Sequence, residues 1–136
     1  MTIRVLLADD NEMMRRAISR LLNGDPEIYL LAETTSFADV VRVASKLRPH
    51  IVVLDLHLPD DADITPLHVK SNLDGIKLLA ISIWDDDETK NLAQAYGAVA
   101  LLDKSKLSTE LIPAIKLCAD GHQSAGSNAE PGGPAN

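Results

Sequence analysis

Polar side chains that suit chemical work stand directly after four short apolar runs of this sequence. The acid pair Asp9-Asp10 follows the first run, Asp55 ends "HIVVLD", and Ser82 and Lys104 follow two later runs. Three carboxylates that meet in space repel one another, and a hard divalent cation such as Mg²⁺ relieves that repulsion through oxygen ligands. Such a cation beside a lysine and a hydroxyl suits phosphoryl transfer, with an aspartate oxygen as the attacking group.

Each of these residues also has a simpler interpretation when it is taken alone. Asp9, Asp10 or Asn11 suits the N-cap of the helix that follows, and Asp55 suits the start of a loop. Ser82 is compatible with a hydrogen-bonded core hydroxyl, and the lysine with a solvated surface charge. The combination of the five residues is what favours the chemical interpretation.

The elements that must position these residues alternate along the chain. Short apolar runs predict five strands, and several are apolar throughout, as in a parallel sheet covered on both faces. These strands are Ile3–Ala8, Tyr29–Glu33, His50–Leu54, Ile76–Ser82 and Val99–Leu102. Segments of helical periodicity separate them and predict five helices. These helices lie at Met14–Leu22, Phe37–Leu47, within Ile64–Asn72, from "WDDDE" to Tyr96, and at about Ser108–Ala119.

This alternation predicts an α/β fold: a five-stranded parallel sheet with five helices on both faces, joined by right-handed crossovers. Ligands of such sheets bind at the carboxyl ends of the strands. Because all the polar residues above stand at those ends, we expect them to converge on one edge of the fold.

Composition and charge limit the classes of function. The 136 residues suit one domain, and 46% hydrophobic against 3% aromatic residues predicts an aliphatic core. A net charge of −7 argues against binding nucleic acid or an anionic membrane surface. The single cysteine, Cys118, excludes an internal disulfide and a CxxC metal site. Without a long apolar run or a signal-like start, the chain is expected to be soluble and cytoplasmic.

The domain is expected to span residues 1–121. The segment 122–136, "HQSAGSNAEPGGPAN", has no bulky apolar residue and is rich in glycine and proline. It is therefore predicted to be a disordered tail or linker.

The motifs "LLADDNEMMRRAISRLL", "PHIVVLDLHLP", "LLAISIW" and "GAVALLDKS" resemble the receiver domain of response regulators in two-component signalling. The resemblance covers roughly residues 2–121 and implies the (βα)5 flavodoxin-like receiver fold. The segment "ELIPAIKLCADG" is most similar to regulators that carry a C-terminal helix-turn-helix (LuxR-type) output domain.

The resemblance implies a phosphorylation site with its metal. Asp55 would accept a phosphoryl group from a sensor histidine kinase or from a small donor such as acetyl phosphate. Mg²⁺, or Mn²⁺ in its place, would be bound by Asp10 directly, by Asp9 largely through water, by Asp55 and by the backbone carbonyl of His57.

The resemblance also implies a switch. Ser82 would be the switch hydroxyl and Lys104 the partner of the phosphate. Phosphorylation would re-pose the face formed by the fourth helix, fifth strand and fifth helix, and so control dimerisation or an output partner, with transcription as the regulated process. The chain itself would be neither a turnover enzyme nor a direct binder of nucleic acid or membrane.

Several positions depart from the family pattern. Leu101 stands where an aromatic switch residue is usual, and Ser105 where a proline often follows the lysine. Asp60, Asp61 and Asp63 add negative charge to the loop after Asp55, which is expected to be stiffer where Asp63 replaces a glycine.

Two alternatives stay open beside the switch. Leu101 is compatible with an atypical receiver that acts as a constitutive protein-binding module. An aspartyl phosphatase of the haloacid-dehalogenase type would need a second acid where this chain has His57.

His57 and Trp84 are bulky residues beside the site. Because they could obstruct the water that attacks the phosphoryl group, we predict slow self-dephosphorylation.

Overall fold

The computed structural model describes residues 2–59 and 63–125 of the chain, which form five strands and five α-helices. The strands are β1 (Ile3–Ala8), β2 (Ile28–Thr34), β3 (Ile51–Asp55), β4 (Lys77–Ser82) and β5 (Ala100–Asp103). The helices are α1 (Glu12–Asn23), α2 (Phe37–Leu47), α3 (Pro66–Asn72), α4 (Asp87–Ala95) and α5 (Leu107–Ala125), with a 3₁₀ turn at Lys104–Lys106 before α5.

The five strands form one parallel sheet in the order β2-β1-β3-β4-β5. The order confirms the predicted α/β fold and sets which strand ends are neighbours. Ala8 lies beside Leu54, so that the residues after them, Asp9 and Asp55, leave the sheet side by side. Ser82 lies beside Asp103, directly before the lysine. The register therefore gathers the predicted site residues at one edge.

Helices cover both faces of the sheet, as predicted. Strand β3 is buried throughout, and its residues alternate between two core layers. Val52 and Leu54 belong to the layer that contains residues of α2, α3 and α4. Ile51 and Val53 belong to the layer that contains residues of α1 and α5. Two covered faces explain why the strand is apolar until it reaches Asp55.

Side chains at the helix starts satisfy backbone N–H groups that have no partner within the helix. The side chains of Asn11, Ser36, Thr65 and Asp86 accept a hydrogen bond from the backbone N–H of the third residue of α1, α2, α3 and α4, respectively. Helix α4 ends as predicted before Gly97, whose φ of 77° lies in the left-handed region that favours glycine.

The predicted end of the fifth helix is wrong. Helix α5 continues past Ala119 to Ala125, because Gly121 stays helical and does not take the left-handed conformation that ends α4. Residues 122–125 of the predicted tail thus continue the helix, and residues 126–136 lie outside the described residues. Neither α5 nor any other helix of the described ranges has the length and hydrophobicity that crossing a membrane requires.

Candidate functional site

Asp55 lies at the carboxyl end of β3 with only 2% of its surface exposed. Its Oδ1 atom accepts a hydrogen bond from the backbone N–H of His57 at 2.9 Å. Burial raises the pKa of the Asp55 carboxyl, the negative charge of Asp9 adds to the rise, and contacts with His57 and Lys104 only partly oppose it. The ionised form of this buried carboxylate is therefore unfavourable unless a positive charge lies nearby.

Asp9 follows β1 and is fully buried. Its backbone N–H donates to the Thr34 carbonyl at 3.1 Å, and its carbonyl accepts from the Arg15 guanidinium at 2.9 Å. The N-cap of α1 is Asn11, which accepts from the backbone N–H of Met14, whereas Asp9 Oδ1 accepts from the N–H of Asn11 at 2.9 Å. Capping therefore explains Asn11 and one oxygen of Asp9, and leaves the Oδ2 atom of Asp9 for another partner.

The three predicted carboxylates do meet. One oxygen from each of Asp9, Asp10 and Asp55 lies within 4.8 Å of the others. Asp9 and Asp55 are buried, whereas Asp10 is exposed and faces the cleft above them. Three negative charges at this separation repel one another strongly when little water lies between them.

Lys104 brings one positive charge to these carboxylates. Its Nζ atom lies 2.9 Å from Asp9 Oδ2 and 3.1 Å from Asp55 Oδ2, and its side chain is 10% exposed. Burial alone would lower the pKa of the lysine, but the close contact with Asp9 and the charges of both carboxylates outweigh burial and raise it. Asp103 fixes the turn that presents the lysine, since its Oδ1 accepts from the N–H and hydroxyl of Ser105, both at 2.8 Å.

The donor set fits a divalent cation. One ammonium group does not balance three carboxylates, and Asp9 Oδ2, although close to Lys104, is a buried oxygen without a hydrogen bond of good geometry. Asp9 and Asp55 are buried, and buried negative charge that is only partly paired is unfavourable. Oxygen ligands from several carboxylates are what hard cations such as Mg²⁺ prefer.

Ser82 lies at the end of β4 and is fully buried. Its Oγ atom accepts a hydrogen bond from the backbone N–H of Trp84 at 2.9 Å. The ring of His57 reaches the same atom, with Nε2 at 3.1 Å from Oγ. Sequence reasoning anticipated His57 only through its backbone carbonyl and its bulk, and no spacing rule signals a side-chain contact across 25 positions of the chain.

A cleft opens above Asp55, with Lys104 on its floor. Exposed apolar side chains stand at its edge: Met13, Ile83 and Trp84, of which the indole is 55% exposed. His57, which also lines the cleft, is likewise exposed.

Three of the departures from the family pattern, Leu101, Ser105 and Asp63, fall within the described residues. Leu101 is half-buried and packs against the core layer of α2, α3 and α4. Asp63 is exposed, whereas Asp60 and Asp61 lie outside the described residues.

A second cavity lies at the other end of the sheet, beside the starts of β3 and β4. Cys118 contributes to its lining, and burial raises the pKa of that thiol. A raised pKa makes the reactive thiolate form of Cys118 scarcer.

Comparison with known proteins assigns the family. A sequence model described as the response regulator receiver domain matches residues 5–116, the part of the chain that contains the whole acidic site. The chain belongs to the response-regulator receiver family. The predicted fold and family are confirmed together, and these findings favour neither the constitutive binding module nor the haloacid-dehalogenase alternative.

Curated relatives connect this receiver to longer regulators. The transcriptional regulatory protein LiaR of Bacillus subtilis is 31% identical over 121 residues, which are 88% of this chain and 57% of LiaR. A protein-glutamate methylesterase of Shewanella denitrificans is 32% identical over 101 residues, 74% of this chain but only 26% of that enzyme. The receiver thus spans about half of the LiaR-type relative, and the similarity to the enzyme covers about a quarter of its length.

Solved structures agree on the fold. The signal receiver domain of the putative response regulator NarL from Mycobacterium tuberculosis superposes with a TM-score of 0.78 at 23% identity. The match covers 88% of this chain and 98% of that domain.

Proposed function

We propose that Asp55 is the phosphoacceptor of a two-component response regulator. The observation that carries this proposal is the ion-pair geometry of Lys104, whose Nζ atom lies 2.9 Å from Asp9 Oδ2 and 3.1 Å from Asp55 Oδ2. Asp10 completes the cluster and faces the open cleft. The cleft gives a donor access to a carboxylate that is otherwise buried.

The transfer needs no separate base, since Asp55 attacks as a carboxylate. A bond forms between an Asp55 oxygen and phosphorus, and the bond from phosphorus to the donor breaks. The electron pair leaves on the imidazole nitrogen of a phosphohistidine, which then takes a proton, or on the acetate of acetyl phosphate. Lys104 would keep one contact with Asp9 and turn the other toward a phosphoryl oxygen, and Ser82 would donate its hydroxyl hydrogen to another.

Asp9, Asp10, Asp55 and the backbone carbonyl of His57 would hold the metal, Mg²⁺ or in its place Mn²⁺. When bound, the ion supplies positive charge against the oxygens of the transferred group. The excess of carboxylates over ammonium groups supports this assignment, and so does the buried Oδ2 atom of Asp9, which has an ion pair with Lys104 but no hydrogen bond of good geometry.

The partner that fits this site is a sensor histidine kinase, whose apolar surface would contact Met13, Ile83 and Trp84 around the acidic cleft. The signal would then pass to the face formed by α4, β5 and α5, where a second copy or an output domain reads it. The regulated process would be transcription, as the description of LiaR as a transcriptional regulatory protein suggests. The chain would act in the cytoplasm, and we expect it to carry out no turnover reaction and to make no nucleic-acid contact itself.

Leu101 bears on how the switch works. Its half-buried side chain packs against the core and supplies no ring that could turn inward when Ser82 moves. The switch would therefore run through Ser82 and the loop to α4. A constitutive binding module is the rival that would be left if this loop did not respond.

Intact-mass spectrometry tests the phosphoacceptor. Incubation with acetyl phosphate and Mg²⁺ should add one phosphoryl group to the chain, and both Asp55→Asn and chelation of Mg²⁺ should abolish the gain. Asp85→Asn is the matched control, because Asp85 is an exposed acid outside the cluster. A gain that persists in Asp55→Asn would refute the assignment. A gain without any change in Trp84 emission would favour the constitutive module.

A further inference from the structure

We propose that the ring of His57 binds the hydroxyl of Ser82 and so competes with the phosphoryl group for it. His57 would act on the phosphorylation site by positioning this serine. The contact behind this inference is the 3.1 Å approach of His57 Nε2 to Ser82 Oγ. The inference rests on the proposed phosphorylation of Asp55 and adds a restraint that belongs to this chain. It makes His57 a latch on the switch.

His57 is tied to the site at two points. Its backbone N–H donates to Asp55 Oδ1 at 2.9 Å, and its ring reaches the Ser82 hydroxyl. The residue thus connects the end of β3 to the end of β4. Because the backbone bond holds His57 close to Asp55, the ring can reach the serine when no phosphoryl group is present.

The hydrogen-bonding capacity of Ser82 makes the two partners exclusive. A serine hydroxyl has a single hydrogen to donate. Ser82 Oγ already accepts from the N–H of Trp84 at 2.9 Å. The proposed latch has the Ser82 hydroxyl donate its hydrogen to His57 Nε2, 3.1 Å away. A phosphoryl oxygen on Asp55 needs that same hydrogen. Forming the phosphorylated arrangement therefore costs the bond between His57 and Ser82.

Losing the hydrogen bond between His57 and Ser82 should weaken the binding of a phosphoryl mimic by a measurable factor. Beryllofluoride with Mg²⁺ stands in for the phosphoryl group on Asp55, and its binding should be weakened by the latch. Replacing His57 with phenylalanine keeps a ring of similar bulk and removes the nitrogen that accepts the hydrogen. We expect His57→Phe to bind beryllofluoride about fivefold more tightly, which is about 1 kcal/mol at 1.4 kcal/mol per tenfold and the size of one net hydrogen bond.

The titration can be followed by the emission of Trp84, the single tryptophan of the chain. A double-mutant cycle separates the latch from a general effect of the ring. His57→Phe should tighten the midpoint about fivefold when Ser82 is present and should leave it unchanged in Ser82→Ala. His68→Phe is the matched control, since His68 is an exposed histidine on α3, outside the residues that line the cleft.

Two outcomes would overturn the latch while leaving the proposed function in place. In one, the wild type responds to beryllofluoride but His57→Phe has the same or a weaker midpoint. In the other, His57→Phe tightens binding equally in Ser82→Ala, so that the hydroxyl is not involved. A wild type that shows neither a beryllofluoride response nor a phosphoryl mass gain would overturn the proposed function together with the latch.

Discussion

Replacing Lys104 with methionine removes the ammonium group from the acidic cluster and keeps a side chain of similar length. The lysine is 10% exposed, and its two partner carboxylates, Asp9 and Asp55, are 0% and 3% exposed. Breaking a buried ion pair by removing one partner costs about 3–5 kcal/mol. The raised pKa of Asp55 lets that carboxyl take up a proton and soften the loss. We therefore expect a loss near the lower limit, about 3 kcal/mol of unfolding free energy.

Urea denaturation in the presence of a chelator measures this loss. For a slope of about 1.5 kcal/mol per molar urea, the midpoint of Lys104→Met should fall by about 2 M. Lys106→Met is the matched control, because Lys106 is an exposed lysine two residues further along the chain and should change little.

The same variant tests the link between the lysine and the metal. Mg²⁺ at about 100 times its dissociation constant stabilises a folded protein by about 2.7 kcal/mol. Since the ion would replace the missing positive charge, Lys104→Met should gain more from Mg²⁺ than the wild type does. A chelated Lys104→Met that unfolds within about 0.5 M of the wild type would refute the electrostatic reasoning.

Three further predictions follow from buried charge, from the cleft and from the core. Asp55→Asn should be more stable than the wild type at pH 7 without metal. Because the pKa of the Asp55 carboxyl is raised in the folded protein, folding favours its protonated form. The stability of the wild type therefore falls as the pH rises above 3.8, the ordinary pKa of an aspartate. Urea midpoints at pH 7 and pH 4 check this, and an advantage that does not shrink at pH 4 would contradict it. The phosphorylated chain should lose its phosphoryl group slowly, and His57→Ala and Trp84→Ala should each shorten its lifetime in a phosphate-release assay; unchanged lifetimes would show that these side chains do not obstruct water. Ile115 is fully buried on α5, and Ile115→Ala should lower the free energy of unfolding by about 2–5 kcal/mol, as measured by urea denaturation. Leu117 is 73% exposed, and Leu117→Ala should change that free energy by no more than about 0.5 kcal/mol. Similar losses in the two variants would contradict the assignment of Ile115 to the core.

The sequence was sufficient to predict the sheet, because strands that are buried on both faces are composed of apolar residues. The run Ile51–Leu54 is apolar without interruption, and both of its faces are covered in the structure. Polar residues at the ends of such strands must then meet, since parallel strands expose their carboxyl ends at one edge. That rule placed Asp9, Asp55 and Lys104 together without any knowledge of their distances.

Two features escaped sequence reasoning for physical reasons. The end of α5 depends on the conformation of Gly121, and a glycine after a helix permits a stop without requiring one. The contact of His57 with Ser82 depends on the side-chain conformation of a residue in a loop. No periodicity fixes that conformation, whereas periodicity does fix which face of a strand or helix is buried.

A crystal structure of this chain with Mg²⁺ and beryllofluoride would test the proposed phosphorylation site. We expect beryllium on an oxygen of Asp55, the metal against Asp9, Asp10 and Asp55, fluorine contacts from Lys104 and Ser82, and the His57 ring withdrawn from the serine. Beryllofluoride bound elsewhere, or a metal site that does not include these carboxylates, would contradict the assignment of Asp55 as the phosphoacceptor beside a metal.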